Sequence, residues 1–292
     1  VVNEVAREWS GNGHGVAYGV AYEVVLDREQ DLNFSCCRRS GRILAAAALL
    51  AAFVLVTARD AARAENAPPR FGAKAVIELF TSQGCSSCPP ADRLMGELAL
   101  DPSLVVMSLA VDYWDYLGWK DTLALKGHAK RQHAYAKTRG DREVYTPQVV
   151  VNGLVHVAGN DRAAIEHAVE MTRRESKAMR LNVGVTRTAD ALVVEIPDAQ
   201  EVPAGAEVWL LPISVKVPVS IERGENRGKT VIYTNVVRRW LKLGEWKGKA
   251  ESFTVALKEV QGVDIDSVAV LVQNGGSAAP GTVLGAAIVS VR

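Results

Sequence analysis

Apolar and polar positions along this chain change their period twice. A wholly apolar run, Ile43 to Thr57, comes first, behind Arg38, Arg39 and Arg42. A second run, Ala75 to Phe80, is short enough for a strand buried on both faces. Leu94, Met95 and Leu98 then fall at helical spacing, and Asp101-Pro102 ends that helix. Leu104 to Val111 reads as another buried strand, and Lys126 to Gly140 as a polar helix. Pro147 opens an apolar strand that an Asn152-Gly153 turn folds back on Leu154 to Gly159. Asn160-Asp161-Arg162 caps a helix running to about Lys177, with Ile165, Ala168, Val169 and Met171 inward.

From Leu181 the period becomes two. Val183 and Val185, then Leu192, Val194 and Ile196, alternate around a Thr188-Ala189-Asp190 turn. Further strands are predicted at Val208–Val219, Thr230–Arg238, Phe253–Leu257, Val268–Val272 and Val283–Val291. Turn signals separate them, and the charged Arg223 to Lys229 loop reads as a solvated hairpin. A strand–helix–strand crossover followed by regularly spaced strands predicts an α/β domain and then a sandwich-like all-β unit. The expected partition is a leader and signal over residues 1–64, the α/β domain over 65–180 and the β-rich unit over 181–292.

Charge and composition narrow the function. Lys and Arg total 34 against 33 Asp and Glu, a net charge of +1, which excludes the basic excess of a nucleic-acid binder. The Arg-flanked apolar run, followed by Ala62-Arg63-Ala64, has the layout of a secretion signal. It falls short of the roughly 20 residues that span a bilayer. The expected location is periplasmic or secreted, with no membrane association after cleavage. Met is absent before Met95, so Val1 to about Cys37 reads as a leader or an early start outside the fold.

With Cys36 and Cys37 in that leader, cleavage leaves Cys85 and Cys88. A single Cys-x-x-Cys pair in an exported chain points to redox chemistry, because export exposes thiols to oxidation. Strand, turn, cysteines and helix in that order set the thiols at a helix N-terminus, where a thiolate is favoured. Cys85 is the expected nucleophile and Cys88 the resolving thiol. Asp112 to Asp121 holds the densest aromatic cluster, Tyr113, Trp114, Tyr116 and Trp119. It leaves the end of the second strand, on the sheet edge that carries Cys85, so it either lines the groove beside the thiols or caps the core. His128 and His133 do not share a helix face and read as solvated surface.

The element order, Cys85, Cys88 and the Thr146-Pro147 step resemble the thioredoxin fold. The wider text, Ile77 to Asp92 with Val111-Asp112-Tyr113-Trp114-Asp115 and Tyr145-Thr146-Pro147-Gln148, is similar to a narrower group. That group is the secreted bacterial domain-of-unknown-function family numbered 1223, over about Lys74 to Arg292. The resemblance implies that Pro147 is cis and lies against the cysteines. It also implies that Thr146, Tyr113, Trp114 and Trp119 hold substrate. Glu78, one residue off the superfamily's spacing, is the implied proton relay to the second cysteine; the alternative is a strand-end acid reaching solvent. Gly84 before the first cysteine, Ser86-Ser87 between the two and Pro89 after the second depart from ordinary thioredoxins. The residue before a proline avoids the helical region, so the helix is expected to begin at Pro89 or Pro90.

The function expected is therefore thiol–disulfide exchange with a protein or small-molecule thiol or disulfide, with no cofactor and no metal. Two alternatives stand beside it. One is a binding protein whose Cys85–Cys88 bridge is structural. The other is a module holding a soft ion such as Cu(I).

Overall fold

The computed structural model describes residues 72–200 and 205–292; the signal-like segment and the stretch before it lie outside the described residues. The described residues belong to one compact unit, Ala61–Arg292. Its strands are β1 Ala75–Thr81, β2 Leu104–Ala110, β3 Gln148–Val151, β4 Val155–Ala158, β5 Gly184–Arg187 and β6 Ala191–Ile196. They continue with β7 Ala206–Ser220, β8 Thr230–Val237, β9 Leu241–Trp246, β10 Glu251–Ala256, β11 Ser267–Asn274 and β12 Val283–Ser290. The helices are α1 Pro89–Leu98, α2 Lys126–Arg139, α3 Arg162–Glu175 and the single turn α4 Leu257–Val260.

The expected architecture, an α/β thioredoxin-like domain followed by a separate all-β unit, is overturned. The protein is mostly β, and one mixed nine-stranded sheet runs through both halves in the order β12-β11-β7-β8-β2-β1-β3-β4, with β9 also on β7. The join is β2 with β8, parallel at Ser108 and Val236. Ser108 Oγ donates to Thr234 O at 2.7 Å, and Asn235 Nδ2 donates to Val106 O at 2.9 Å. An open β2 edge would present unpaired backbone groups, and β8 covers them. Val268 to Val272 of β11 form an unbroken apolar run because both faces of that strand are buried, as at the centre of a sheet.

The sheet curls until β12 packs across β1 and β2. Inside the curl, Val76, Phe80, Met107 and Leu109 share one core with Leu211, Ile213, Leu271 and Val283. Outside it, Ala75, Ile77 and Leu79 pack with Leu94, Met95 and Leu98 of α1 and Ile165 of α3. The outer face of the C-terminal half is covered by the three-stranded sheet β10-β6-β5. Asn152 and Gly153, both at positive φ, make the predicted tight turn between β3 and β4. Asn152 does more than turn the chain: its Oδ1 accepts from Val76 N, and its Nδ2 donates to Thr172 Oγ1.

Candidate functional site

Cys85 and Cys88 form a disulfide at the head of α1. The turn that holds them is made by Cys85 N donating to Ser82 O and Cys88 N to Cys85 O. Cys88 caps α1 with Pro89 and Pro90 following, as the proline pattern predicts, and its carbonyl accepts from Ala91 and Asp92. Cys85 is 2% exposed and Cys88 fully buried, whereas Ser86 and Ser87 are open to solvent. Ser87 Oγ lies 3.4 Å from Cys85 Sγ.

Three segments converge on this loop. The first holds Pro147, whose bond to Thr146 is cis. Pro147 O accepts from Gly159 N at 2.9 Å. A Cβ placed on Gly159 would lie 3.1 Å from Pro147 Cβ and 3.3 Å from Ala91 Cβ, so Pro147 meets the first turn of α1 there. The second is the aromatic loop. Trp114 Nε1 donates to Thr146 Oγ1 at 2.8 Å, and the same tryptophan backs onto Gly84. A Cβ at Gly84 would come within 2.9 Å of Trp114 Cβ, which explains why glycine stands before the first cysteine. Tyr116 stacks on Trp114 with ring centroids 6.2 Å apart and is 76% exposed.

The third segment comes from the C-terminal half. Asn226, in the loop expected to be solvated, is buried and donates through Nδ2 to Gln83 O at 3.0 Å and to Cys85 O at 2.7 Å. Lys229 Nζ donates to Asn226 Oδ1 and fixes the amide's orientation. No local signal in the sequence marks Asn226, because its partners lie far away in the chain.

The other residues singled out from the sequence are placed differently. Trp119 lies behind the cysteine loop, its Nε1 donating to Gln83 Oε1 at 2.7 Å. Gln83 N donates in turn to Asp121 Oδ2. Tyr113 donates to Gln132 Oε1 of α2, and burial raises its pKa. Tyr113 and Trp119 therefore brace the rim, while Trp114, Tyr116 and Thr146 form it.

Glu78 is corrected. Alternation along β1 sends its side chain inside the curl with Val76 and Phe80, away from α1 and Cys88. There it accepts two hydrogen bonds from Arg131, at 2.6 and 2.9 Å, and one from Tyr135 at 2.6 Å. Arg131 also donates to Gln273 Oε1 of β11 and lies over the Trp240 ring. Burial alone would lower the Arg131 pKa, but Glu78 and Tyr135 beside it more than reverse that, so Arg131 stays charged. It is a pin between the two halves of the sheet and not a relay to the thiols. His128 is corrected too: it is fully buried, with Nδ1 3.0 Å from Ala110 O, and burial pulls its pKa down to about 4.

Asp92 is the acid that the sequence reading passed over. It stands four residues beyond Cys88 on α1, and its N donates to Cys88 O at 3.1 Å. It is 1% exposed. Thr81 Oγ1 donates to its Oδ1 at 2.8 Å, and Oδ2 has no partner. Burial pushes its pKa up to about 8, against the Thr81 hydrogen bond, with Asp121 adding to the rise.

Fold and site together define a class: a curled mixed-sheet protein with a Cys-x-x-Cys disulfide at the head of a helix, bordered by a cis-proline and an aromatic loop. The chain belongs to the family described as protein of unknown function (DUF1223), whose model matches residues 76–273. It is similar to the crystal structure of protein AGR_C_4864 from Agrobacterium tumefaciens, at 32% identity and a TM-score of 0.68, over 75% of this chain and 95% of that one. It also shares its fold with HBP35 of Porphyromonas gingivalis, at 14% identity and a TM-score of 0.50, over 76% of each chain. No curated protein matches it.

Proposed function

We propose that the protein is an exported thiol–disulfide oxidoreductase in which Cys85 and Cys88 cycle between disulfide and dithiol. One observation carries this reading: the Cys85–Cys88 bridge heads α1, and separate segments bring Pro147, Trp114 and Asn226 to its loop. A structural bridge needs no exposed aromatic beside it, yet Tyr116 stands open on Trp114. Kinship with the thioredoxin superfamily is proposed for this edge alone, not for the surrounding sheet. The substrate is a protein or small-molecule thiol or disulfide that enters over Ser86 and Ser87 and lies on Trp114, Tyr116 and Thr146. Export is inferred from the signal-like segment. Among the described residues no helix is long and apolar enough to cross a membrane.

In exchange, a substrate thiolate attacks Cys85 Sγ and the bond electrons pass to Cys88 Sγ. A second substrate thiol then displaces Cys85 and leaves the substrate oxidised. The reverse sequence reduces a substrate disulfide. The burial of both cysteines favours a second reading, a binding protein with a permanent bridge. The reduction potential separates the two: structural bridges lie below about −300 mV. With the redox reading correct, Cys85→Ser abolishes exchange and Cys88→Ser accumulates mixed disulfides. Failure of dithiothreitol to open the bridge in the folded protein supports the second reading. The soft-ion alternative, Cu(I) held by Cys85 and Cys88, is separated from the redox reading by metal titration of the reduced protein.

A further inference from the structure

Asp92 is an unusual acid in an unusual place. A carboxylate in the first turn of a helix is normally stabilised as the anion. Here the side chain is 1% exposed, and no ion-pair partner reaches it among the described residues. Thr81 Oγ1, at the end of β1, supplies one hydrogen bond, and the second carboxyl oxygen is buried with none. An isolated buried anion costs several kcal/mol, so the group holds a proton instead. Arg93, next to it on α1, is exposed to solvent. Asp121, from the loop after β2, adds a like charge, and Tyr233 of β8 is the remaining titratable neighbour.

The position of this proton relative to the disulfide follows from helix geometry. Residues four apart share a face, with Cβ atoms about 5–6 Å from one another. Helical side chains lean toward the N-terminus, so Asp92 leans toward Cys88. Cys88 itself is already helical, at φ −76° and ψ −36°, so the relation holds at this first step. Cys88 is also the fully buried sulfur, and a thiolate formed there has no solvent to receive it.

We propose that Asp92 is the acid that gives a proton to Cys88 Sγ when the disulfide opens and takes it back when the disulfide re-forms. This rests on the redox reading above. In the opening direction a substrate thiolate attacks Cys85 Sγ, the S–S bond breaks, and its electron pair goes to Cys88 Sγ. The proton on Asp92 moves to that sulfur, leaving a Cys88 thiol and an Asp92 carboxylate. In the closing direction the carboxylate removes the proton, and the Cys88 thiolate attacks Cys85 Sγ of the mixed disulfide. The substrate thiolate leaves and is protonated by water. A carboxyl whose pKa burial raises to about 8 holds its proton at neutral pH and is available there as a general acid.

The test is the rate at which dithiothreitol opens the disulfide of the folded protein, divided by reagent thiolate and followed from pH 6 to pH 10. For the wild type a plateau is expected below about pH 8, then a fall approaching tenfold per pH unit. Asp92→Asn should lower the plateau at least tenfold and abolish the fall. Infrared difference spectra of the wild type supply a readout that needs no variant. A protonated-carboxyl C=O band should be present in the oxidised protein at pH 7 and disappear as pH rises through about 8. Superimposable pH profiles for wild type and Asp92→Asn, or no protonated-carboxyl band at pH 7, would overturn the role of Asp92. A wild-type disulfide that stays closed at every pH would instead overturn the redox reading, which keeps the two failures apart.

Discussion

Trp114 Nε1 donates to Thr146 Oγ1 at 2.8 Å, and through that bond the loop after β2 holds the step before Pro147 beside the cysteine loop. The same tryptophan backs onto Gly84, so a single side chain spaces the two segments that border Cys85. Trp114→Phe keeps most of the ring and removes the donor. The expected loss is about 1 kcal/mol in denaturant midpoint, with several-fold slower disulfide exchange. A double-mutant cycle with Thr146→Val should recover a coupling of about 0.5–1.5 kcal/mol.

Gly84 makes a second prediction. An added Cβ would sit 2.9 Å from Trp114 Cβ and 3.2 Å from Trp114 O, and the backbone oxygen cannot swing away. Gly84→Ala should cost about 1–3 kcal/mol by overpacking. Tryptophan fluorescence should shift with it, as Trp114 is displaced. An unchanged midpoint and spectrum would show that the loop absorbs the methyl group.

Asn226 ties the C-terminal half to the cysteines through Gln83 O and Cys85 O. Asn226→Ala leaves both carbonyls without that donor and should destabilise by about 1–3 kcal/mol. Because the change lands on the loop, alkylation of the reduced protein at Cys85 should also accelerate. Mass spectrometry of iodoacetamide-treated samples measures it, and equal labelling rates would count against the clamp.

Breaking the buried pin should be expensive. Glu78→Gln leaves Arg131 charged and buried, at a cost of about 3–5 kcal/mol. Replacing both, as Glu78→Gln with Arg131→Met, should recover much of that loss. Since Glu78 faces away from α1, the pH profile of exchange should keep its shape in any Glu78→Gln protein that folds. Urea melts and the dithiothreitol assay check the two halves of this prediction.

His128 and Asp92 set opposite pH limits on stability. His128 is held neutral by burial, with Arg131, Glu78 and Asp112 facing it and Ala110 O at its Nδ1. Its folded pKa of about 4 lies below the usual 6.5, so only the unfolded chain gains a proton in between. Stability should fall as pH drops from about 6.5 toward 4, by roughly 2–4 kcal/mol from this group. Asp92 acts in the other direction. Its folded pKa of about 8 lies above 3.8, the native state holds the extra proton, and stability should decline as pH rises from about 4 to 8. Urea titrations of His128→Gln and Asp92→Asn should each flatten the matching limb.

The local text was enough for the parts of the site that lie close together in sequence. The apolar run into Cys85, the two prolines after Cys88 and the Asn152-Gly153 turn each specify their own backbone, and α1 begins where Pro89 requires. Asp92, four residues past Cys88, is not marked by the sequence, because spacing alone does not say that it is buried. Tertiary structure decided the rest. Strand alternation defines two faces but not what covers each, so only the curl of the sheet showed that Glu78 meets Arg131 and not Cys88. The regular spacing of the C-terminal strands is the same for a separate sandwich and for an extension of an existing sheet. Pairing of β8 with β2 chose the extension, and the same closure carried Asn226 onto the cysteine loop. Backbone hydrogen bonds and buried polar groups must find partners wherever the chain comes together, and those partners are set by contacts that no local window of residues contains.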